Sequence, residues 1–311
     1  MMLPQTAVGP LFSLFLPQMR MTFETILDKA QTVERVGFDG IALMDHLAPP
    51  GVPSTAMYDG FVTAAAIAMR TERIRIAHLV LCASFRHPAV LAKEAVSLDH
   101  LSGGRFDLGI GWGSVPDELE RFDLNNEPPA VRSARMAETL EVLTKLFSGE
   151  PFDHHGRFWN MRGAQQQPTP LNGTLPVIIG GGGPKLTMPL VAKYAHWWNC
   201  PSYAVEELDA LRPLVGSARV SVQHPITIAS DAAGLADALG PARKRFGNWG
   251  GTIEGTPDVV AEALIEEARK GVEQFYVMFT DFATTESLEL FGREVIPAVR
   301  AALAQHAPNA E

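Results

Sequence analysis

Short apolar runs that alternate with amphipathic helical stretches are the feature that most constrains how this chain can fold. Strands that alternate with helices favour parallel pairing in an α/β fold. The runs that read as buried strands are Leu11–Leu16, Gly40–Met44, Ile74–Cys82, Phe106–Ile110, Val177–Ile179, Trp197–Cys200, Val220–Ala229 and Gln274–Phe279. Eight such units in 311 residues predict a (β/α)8 TIM barrel. We expect residues 1–311 to form one domain.

Capping residues and glycines mark where several helices should begin and end. Thr22 is placed as the N-cap of the first helix, and Thr256, followed by a proline, should start the last predicted one. Gly103 and Gly104 should end the helix before the fourth strand. The stretch 149–176 is longer than an ordinary loop and is expected to be an insertion near the functional face.

Charge and composition exclude several classes of function. The net charge is −9, and no stretch combines clustered Lys and Arg with aromatic residues, which argues against a nucleic-acid partner. No apolar run reaches the roughly 18 residues of a membrane span. The two cysteines, Cys82 and Cys200, form no metal-binding pattern and fit a reducing compartment, so we expect a cytoplasmic protein. No G-x-S-x-G or H-E-x-x-H motif of a hydrolase is present.

The segment LSGGRFDLGIGWG, residues 101–113, carries five glycines around the fourth strand. Its G-x-G-x-G lacks the next glycine and the immediate helix of a dinucleotide-binding fingerprint, and no lysine follows as in a P-loop. Two interpretations stay open. The glycines permit a bulge at a crowded strand end, or Gly111, Trp112 and Gly113 leave room for a flat ligand at the carboxyl-terminal face, where barrel active sites lie.

Polar residues follow two other strands at the same predicted face. Asp45 and His46 follow the second strand, and Cys82 and Ala83 end the third. A histidine in this position, next to a carboxylate that can fix its tautomer, is a candidate catalytic group. A structural role for the histidine is the alternative.

Four consecutive glycines follow the fifth strand, ahead of a helix predicted at Leu186–Tyr194. Free backbone N–H groups and the positive end of a helix dipole suit a phosphate, and glycines contribute no packing that would explain the run. The candidate anion-binding residues are Gly180, Gly181, Gly182 and Gly183. Asp153–His155 is the one metal-like cluster in the sequence, and no metal site is expected there.

Several motifs together resemble the luciferase-like, flavin-type oxidoreductases. They are VERVGFDGIALMDH, TERIRIAHLVLCASFRHPAVLAKEAVSLDHLSGGRFDLGIGWG, VIIGGGGPK with YAHWWN, and GTPDVVAEALIEEARKGVEQF. The likeness runs from about Leu11 to Phe279, with the motifs in the family's order. The chain is most similar to the branch that uses the deazaflavin coenzyme F420.

The resemblance implies a TIM-like barrel, usually a homodimer, that holds the coenzyme ring in its mouth. Asp45 and His46 match an Asp-His pair whose histidine lies close to the reacting ring. A non-prolyl cis peptide is implied at Cys82-Ala83 or a neighbouring bond. The residues implied to bind the coenzyme are Cys82, Ala83, Gly111, Trp112, Gly113, Gly180, Gly181, Gly182 and Gly183, with the phosphate at the first three glycines of the four.

One position departs from the family's sugar-phosphate dehydrogenases. Those enzymes carry a glutamate soon after the glycines of strand four, where this chain has Trp112. Glu118, further along the loop, either accepts a hydroxyl of coenzyme or substrate or is a solvated loop residue.

The expected activity is hydride transfer between reduced coenzyme F420 and a small organic substrate bound over Trp112. His46 would orient the pair and stabilise developing charge, with Asp45 holding its ring. The alternatives are an FMN-dependent monooxygenase and a non-catalytic flavin-binding protein.

Overall fold

The computed structural model describes residues 9–124, 126–247 and 249–305, within which eight parallel strands close into a barrel. The last strand pairs with the first, with Leu11 beside Gln274. The strands are β1 (Leu11–Leu16), β2 (Gly40–Leu43), β3 (Arg75–His78), β4 (Leu81–Cys82), β5 (Phe106–Gly111), β6 (Phe152–His155), β7 (Asn160–Ala164), β8 (Val177–Gly180), β9 (Trp197–Cys200), β10 (Arg219–Ile228), β11 (Ile253–Gly255) and β12 (Gln274–Phe279). The barrel order is β1-β2-β3-β5-β8-β9-β10-β12, which confirms the predicted TIM barrel.

Helices pack around the outside of this barrel. They are α1 (Phe23–Arg35), α2 (Gly60–Ala68), α3 (Pro88–Leu101), α4 (Pro116–Arg121), α5 (Pro129–Phe147), α6 (Met188–Tyr194), α7 (Leu208–Leu211), α8 (Ala232–Phe246), α9 (Pro257–Arg269), α10 (Thr285–Leu290) and α11 (Ile296–Ala304). The predicted stretch 231–239 is the start of the longer α8, and helices α4, α7, α10 and α11 were not predicted.

Two apolar clusters form because successive strand side chains point to opposite faces. The larger cluster joins outward residues such as Leu14 and Leu43 to helix residues such as Ile26. The smaller one contains the intervening residues, among them Phe15 and Ala42, and lies inside the barrel. Burial on both faces explains why the strands read as continuous apolar runs.

Most predicted helix boundaries match the structure. The Thr22 side chain accepts the backbone N–H of Thr25 at 3.1 Å and caps α1. Gly103 and Gly104 have φ values of 65° and 85°, a backbone that glycine adopts without a steric penalty, and α3 ends just before them. Thr256 is the N-cap residue of α9, but its hydroxyl donates to the Asp258 side chain and caps no backbone group.

The predicted third strand is not continuous. It divides into β3 and β4, and the non-prolyl cis peptide lies between them, at Leu79-Val80. The expected position at Cys82-Ala83 or a neighbouring bond is therefore wrong. The irregular segment places Val80 against β5 and β8, where ideal Cβ atoms at Gly111 and Gly180 would approach its methyl groups to 2.7 and 3.3 Å.

The stretch 149–176 contains an antiparallel hairpin, β6 and β7, that packs on the outside of the barrel. Glu138 of α5 accepts backbone N–H groups of Arg157, Phe158 and Trp159 at 2.8–3.1 Å. The hairpin is thereby attached to a helix and not to the barrel mouth.

Gly109 of β5 lies against the backbone of His78, where an added Cβ would lie 1.7 Å from the carbonyl oxygen of that residue. A backbone atom in a paired strand cannot move aside. Gly109→Ala should therefore lower the free energy of unfolding by about 3 kcal/mol or more, as severe overpacking does. Urea denaturation measures this change.

Gly234→Ala is the matched control, because an added Cβ in helix α8 would meet only the side chains of Ala229 and Asp231, at 3.5 and 3.6 Å, which are ordinary van der Waals contacts. It should raise stability by about 0.5–1 kcal/mol. Equal effects of the two substitutions would contradict the steric argument.

Candidate functional site

A cavity of about 270 Å³ opens at the carboxyl-terminal end of the barrel, where the ends of several strands meet. It brings together all but one of the predicted site residues, which are Asp45, His46, Cys82, Gly111, Trp112, Gly113, Gly180, Gly181, Gly182 and Gly183. Ala83 is buried and does not line the cavity. Its volume is near the lower end of the roughly 300–1,000 Å³ typical of small-molecule sites.

His46 is held by Glu118, which follows strand β5 on helix α4. The Nδ1 atom of His46 lies 2.7 Å from Oε2 of Glu118. The other carboxylate oxygen accepts backbone N–H groups of Leu47 at 2.6 Å and Ala48 at 3.1 Å. An ionised carboxylate only accepts hydrogen bonds, so this pairing places a proton on Nδ1.

Glu118 is only 5% exposed, so its interpretation as a solvated loop residue is wrong. It lines the cavity, and its role as acceptor for a hydroxyl of coenzyme or substrate stays a prediction. Burial alone raises the pKa of its carboxyl group. The hydrogen bonds from His46, Ala48 and Leu47 outweigh burial and hold the pKa below its usual value. Glu118 therefore remains charged at neutral pH.

Asp45 contacts Arg86 and not His46, so the expectation that Asp45 holds the histidine ring is wrong. Its two carboxylate oxygens accept the terminal nitrogens of Arg86 at 2.7 and 2.9 Å, and one also accepts the backbone N–H of Cys82 at 2.8 Å. Asp45 is 4% exposed, and a buried carboxylate needs such partners. It joins the ends of β2 and β4 below the cavity.

Cys82 carries a neutral thiol in the cavity wall. Burial raises its pKa to about 12, far above physiological pH. Because the thiolate is the nucleophilic form of cysteine, Cys82 contributes shape and not covalent reactivity.

Trp112 has a fixed orientation at the cavity edge. Its indole N–H donates to the Thr187 hydroxyl at 3.2 Å, and the Arg132 guanidinium lies 5.1 Å from the ring centroid. Arg132 also donates to the carbonyl oxygen of Gly113 at 2.8 Å. Trp112 and the adjacent glycine are thus held together as one rigid part of the wall.

The four glycines from Gly180 to Gly183 line the cavity but do not lead directly into a helix. A turn at residues 184–187 separates them from α6, which begins at Met188, so the predicted start of that helix is two residues early. Gly181 has a φ of 123°, and its carbonyl oxygen accepts the Trp198 indole N–H at 2.9 Å. The four glycines therefore form a part of the cavity wall without side chains. The N-terminus of α6 does not follow them directly.

Sequence reasoning missed several polar residues of the wall. Asn199 and Gln223 line the cavity from β9 and β10, and Asn199 donates to the hydroxyl of Ser221 at 3.2 Å. Polar residues at alternate positions of otherwise apolar strands are the signal that could have found them. Tyr203 adds an aromatic ring at the rim that is 69% exposed.

The stretch 149–176 contributes no residue to the cavity lining in the described part of the chain. Its expected place near the functional face stays a prediction. Asp153–His155 lies in this hairpin, where His154 contacts Glu138 at 3.2 Å. Across residues 9–124, 126–247 and 249–305, no cluster of three His, Cys, Asp or Glu side chains could hold a metal ion. None of the helices found there is long and apolar enough to span a membrane.

Comparison with known proteins identifies the family. The luciferase-like monooxygenase profile matches residues 10–219, and the chain belongs to that family. The 4-hydroxyprotoasukamycin monooxygenase of Streptomyces nodosus subsp. asukaensis is 31% identical over 170 residues, which are 54% of this chain and 44% of that protein. The F420-dependent glucose-6-phosphate dehydrogenase of Mycolicibacterium fortuitum is 31% identical over 198 residues, 61% of this chain and 57% of that enzyme. The chain thus spans about half the length of these curated relatives.

A solved structure shares nearly the whole fold. An F420-dependent secondary alcohol dehydrogenase, in complex with an F420-acetone adduct, superposes with a TM-score of 0.79 over 94% of this chain and 99% of its own. The sequence identity is 18%, so this similarity supports the barrel architecture alone.

The charge of Glu118 should make a measurable contribution to stability. Glu118→Gln should lower the free energy of unfolding at pH 7 by about 1.5 kcal/mol, because it removes hydrogen bonds to a charged acceptor. A carboxyl whose pKa is lowered on folding stabilises the protein fully above its unfolded pKa, about 4.3, and loses that contribution as pH falls through the folded pKa. The difference from wild type should therefore shrink between pH 5 and pH 3.

Urea denaturation at pH 7, 5, 4 and 3 measures this difference. Glu120→Gln, on the exposed side of the same helix, is the control and should change little at any pH. A difference that stays constant from pH 5 to pH 3 would show that the charge of Glu118 is not responsible.

Proposed function

We propose that this protein is an oxidoreductase that transfers a hydride between reduced coenzyme F420 and a small organic substrate bound at the barrel mouth. The observation that carries the proposal is that one cavity is lined both by an oriented histidine, His46, and by a run of glycines. Family membership and the F420-dependent relative support this class of reaction.

The cavity wall fits a flat coenzyme ring. Glycines at Gly111, Gly113 and Gly180–Gly183 leave the wall without side chains, and Trp112 adds an aromatic surface beside them. Val80 lies directly against two of these glycines, so side chains there would push the walls apart. The backbone N–H of Gly181 donates to the carbonyl oxygen of Asn199 at 3.2 Å, so the N–H groups of Gly182 and Gly183 would hold the phosphate of the coenzyme.

When bound, F420 supplies a two-electron carrier, and the chain supplies placement and electrostatics. With Nδ1 protonated by its pairing with Glu118, the ring of His46 has its Nε2 free to accept a hydrogen bond in the cavity, or to donate one when the ring is protonated. His46 would thereby orient the reacting oxygen or nitrogen of a substrate. Asp45 has a structural role, since its carboxylate accepts a hydrogen bond from Arg86 and holds the end of β2 in place.

A second candidate function is an FMN-dependent monooxygenase. The specific observation that favours it is the 31% identity to a monooxygenase in the same family. The two candidates share the barrel and the cavity and differ in the coenzyme.

Titration of the apoprotein with F420 and with FMN distinguishes the two. We expect a dissociation constant for F420 at least tenfold below that for FMN, measured by fluorescence, and anaerobic oxidation of reduced F420 by a panel of neutral aldehydes, ketones and enones. Tighter binding of FMN, with oxygen-dependent turnover of reduced FMN, would replace the proposal with the second candidate.

His46→Ala tests the catalytic role. Turnover should fall by about 10²-fold or more, as expected for loss of a positioned acid–base group, while the F420 dissociation constant changes little. His155→Ala, on the exposed hairpin, should leave both quantities unchanged. Retained F420 binding with no turnover by wild type, or with no effect of His46→Ala, would point to a non-catalytic coenzyme-binding protein.

Glu118→Gln tests the positioning role. Without the carboxylate, both neutral tautomers of His46 become accessible, so kcat should fall about tenfold with coenzyme affinity unchanged. Glu118→Asp, which keeps the charge, should recover part of the loss. Equal activity of the two variants would show that the charge does not orient His46.

We also propose, from the family resemblance, a homodimer that acts on a small molecule in the cytoplasm, with no nucleic-acid or membrane partner. Light scattering of the purified protein at micromolar concentration measures the oligomeric state.

A further inference from the structure

The opposite end of the barrel holds a second and larger cavity. It has a volume of about 510 Å³ and is lined by residues from strand starts, whereas the candidate active site is lined by residues from strand ends. Arg75 is the first residue of β3, Arg219 the first of β10, and Asp107 the second of β5. None of these residues lines the first cavity, so the two sites are separate.

Arginine dominates the wall of this cavity. The arginines that line it are Arg73, Arg75, Arg105, Arg219 and Arg300, and the lining carboxylates are Asp39 and Asp107. Glu34, Asp99 and Glu273 interact with these arginines from just outside, so five arginines face five carboxylates in total. A cluster of five arginines is unusual in a chain whose net charge is −9.

Arg105 has a structural role in this cavity wall, because its guanidinium binds backbone carbonyl oxygens. Its guanidinium donates to carbonyl oxygens of Ala68, Thr71, Ile74 and Ser102 at 2.8–2.9 Å, near the ends of α2 and α3. The carbonyls of Ala68 and Ser102 are at helix ends and those of Thr71 and Ile74 are in the loop before β3, and Arg105 supplies a donor to all four.

Two other arginines are anchored by carboxylates and are thereby oriented. Arg75 donates to both oxygens of Asp107, from Nε at 2.8 Å and from one terminal nitrogen, and the Nε of Arg219 donates to Glu273 at 2.8 Å. Arg219 also stacks on Trp197, 4.1 Å from the ring centroid. Guanidinium groups fixed in this way lose little further freedom when an oxyanion binds to their remaining N–H groups.

Arg300 provides an independent observation. One terminal nitrogen donates to Asp39 at 2.7 Å, but its Nε is buried and has no hydrogen-bond partner among the described residues. A buried donor without an acceptor is unusual in a folded protein. An anionic oxygen in the cavity would supply one.

We propose that this amino-terminal cavity binds a small molecule with two or more phosphate groups, through Arg75, Arg219 and Arg300. Planar guanidinium groups match phosphate oxygens in pairs, and several that converge favour a multivalent anion over a single charge. The site is independent of the proposed oxidoreductase function.

Isothermal titration of the full-length protein with inorganic pyrophosphate tests the site. Wild type should bind one equivalent saturably, and Arg219→Gln and Arg300→Gln should each weaken binding at least tenfold. Arg243→Gln is the control for lost charge, because Arg243 pairs with Glu254 and is 64% exposed. It should leave the dissociation constant unchanged.

A further variant and a competition experiment complete the test. Arg73→Gln removes an exposed arginine that lines the same cavity. This variant tests the site if the other variants do not fold. Its expected loss is threefold or more. Absence of saturable pyrophosphate binding, or equal weakening in the Arg243 control, would overturn the proposal. Displacement of pyrophosphate by F420 or FMN would also overturn it, since the anion would then occupy the carboxyl-terminal cavity.

Discussion

Closure of the barrel is the constraint on which the rest of the structure depends. The pairing of β12 with β1 fixes the tilt and register of every strand between them, so residues far apart in sequence arrive at the same rim. His46 and Glu118 are 72 positions apart and lie 2.7 Å from each other for this reason. Close strand packing in turn requires Gly109, because the neighbouring backbone leaves no space for a side chain.

The two ends of the barrel differ in chemical character. The carboxyl-terminal cavity combines a wall of glycines, the aromatic rings of Trp112 and Tyr203 and an oriented histidine, with the carboxylates of Asp45 and Glu118 each paired to a neighbour. The amino-terminal cavity is lined by arginines from strand starts and a helix. Parallel strands produce this separation, because all of their starts lie at one end and all of their ends at the other.

The carboxylates of the candidate site show how similar residues take different roles. Asp45 is adjacent to His46 in sequence yet pairs with Arg86 and the backbone of Cys82. Glu118, on a helix after a different strand, holds the histidine. Adjacent residues at a strand end point in different directions, so sequence proximity favoured the wrong partner. Both carboxylates are buried, and each is surrounded by hydrogen-bond donors that compensate for the loss of water.

The sequence by itself determined the eight strands, most helix ends and the strand ends that carry the site, because apolar periodicity, caps and glycines act locally. Tertiary structure alone decided the Glu118–His46 pairing, the break at Leu79-Val80 and the outward position of the hairpin. These features depend on which distant groups meet in three dimensions, and no local pattern encodes such a meeting. The arginines of the amino-terminal cavity, scattered from residue 73 to residue 300, converge for the same reason.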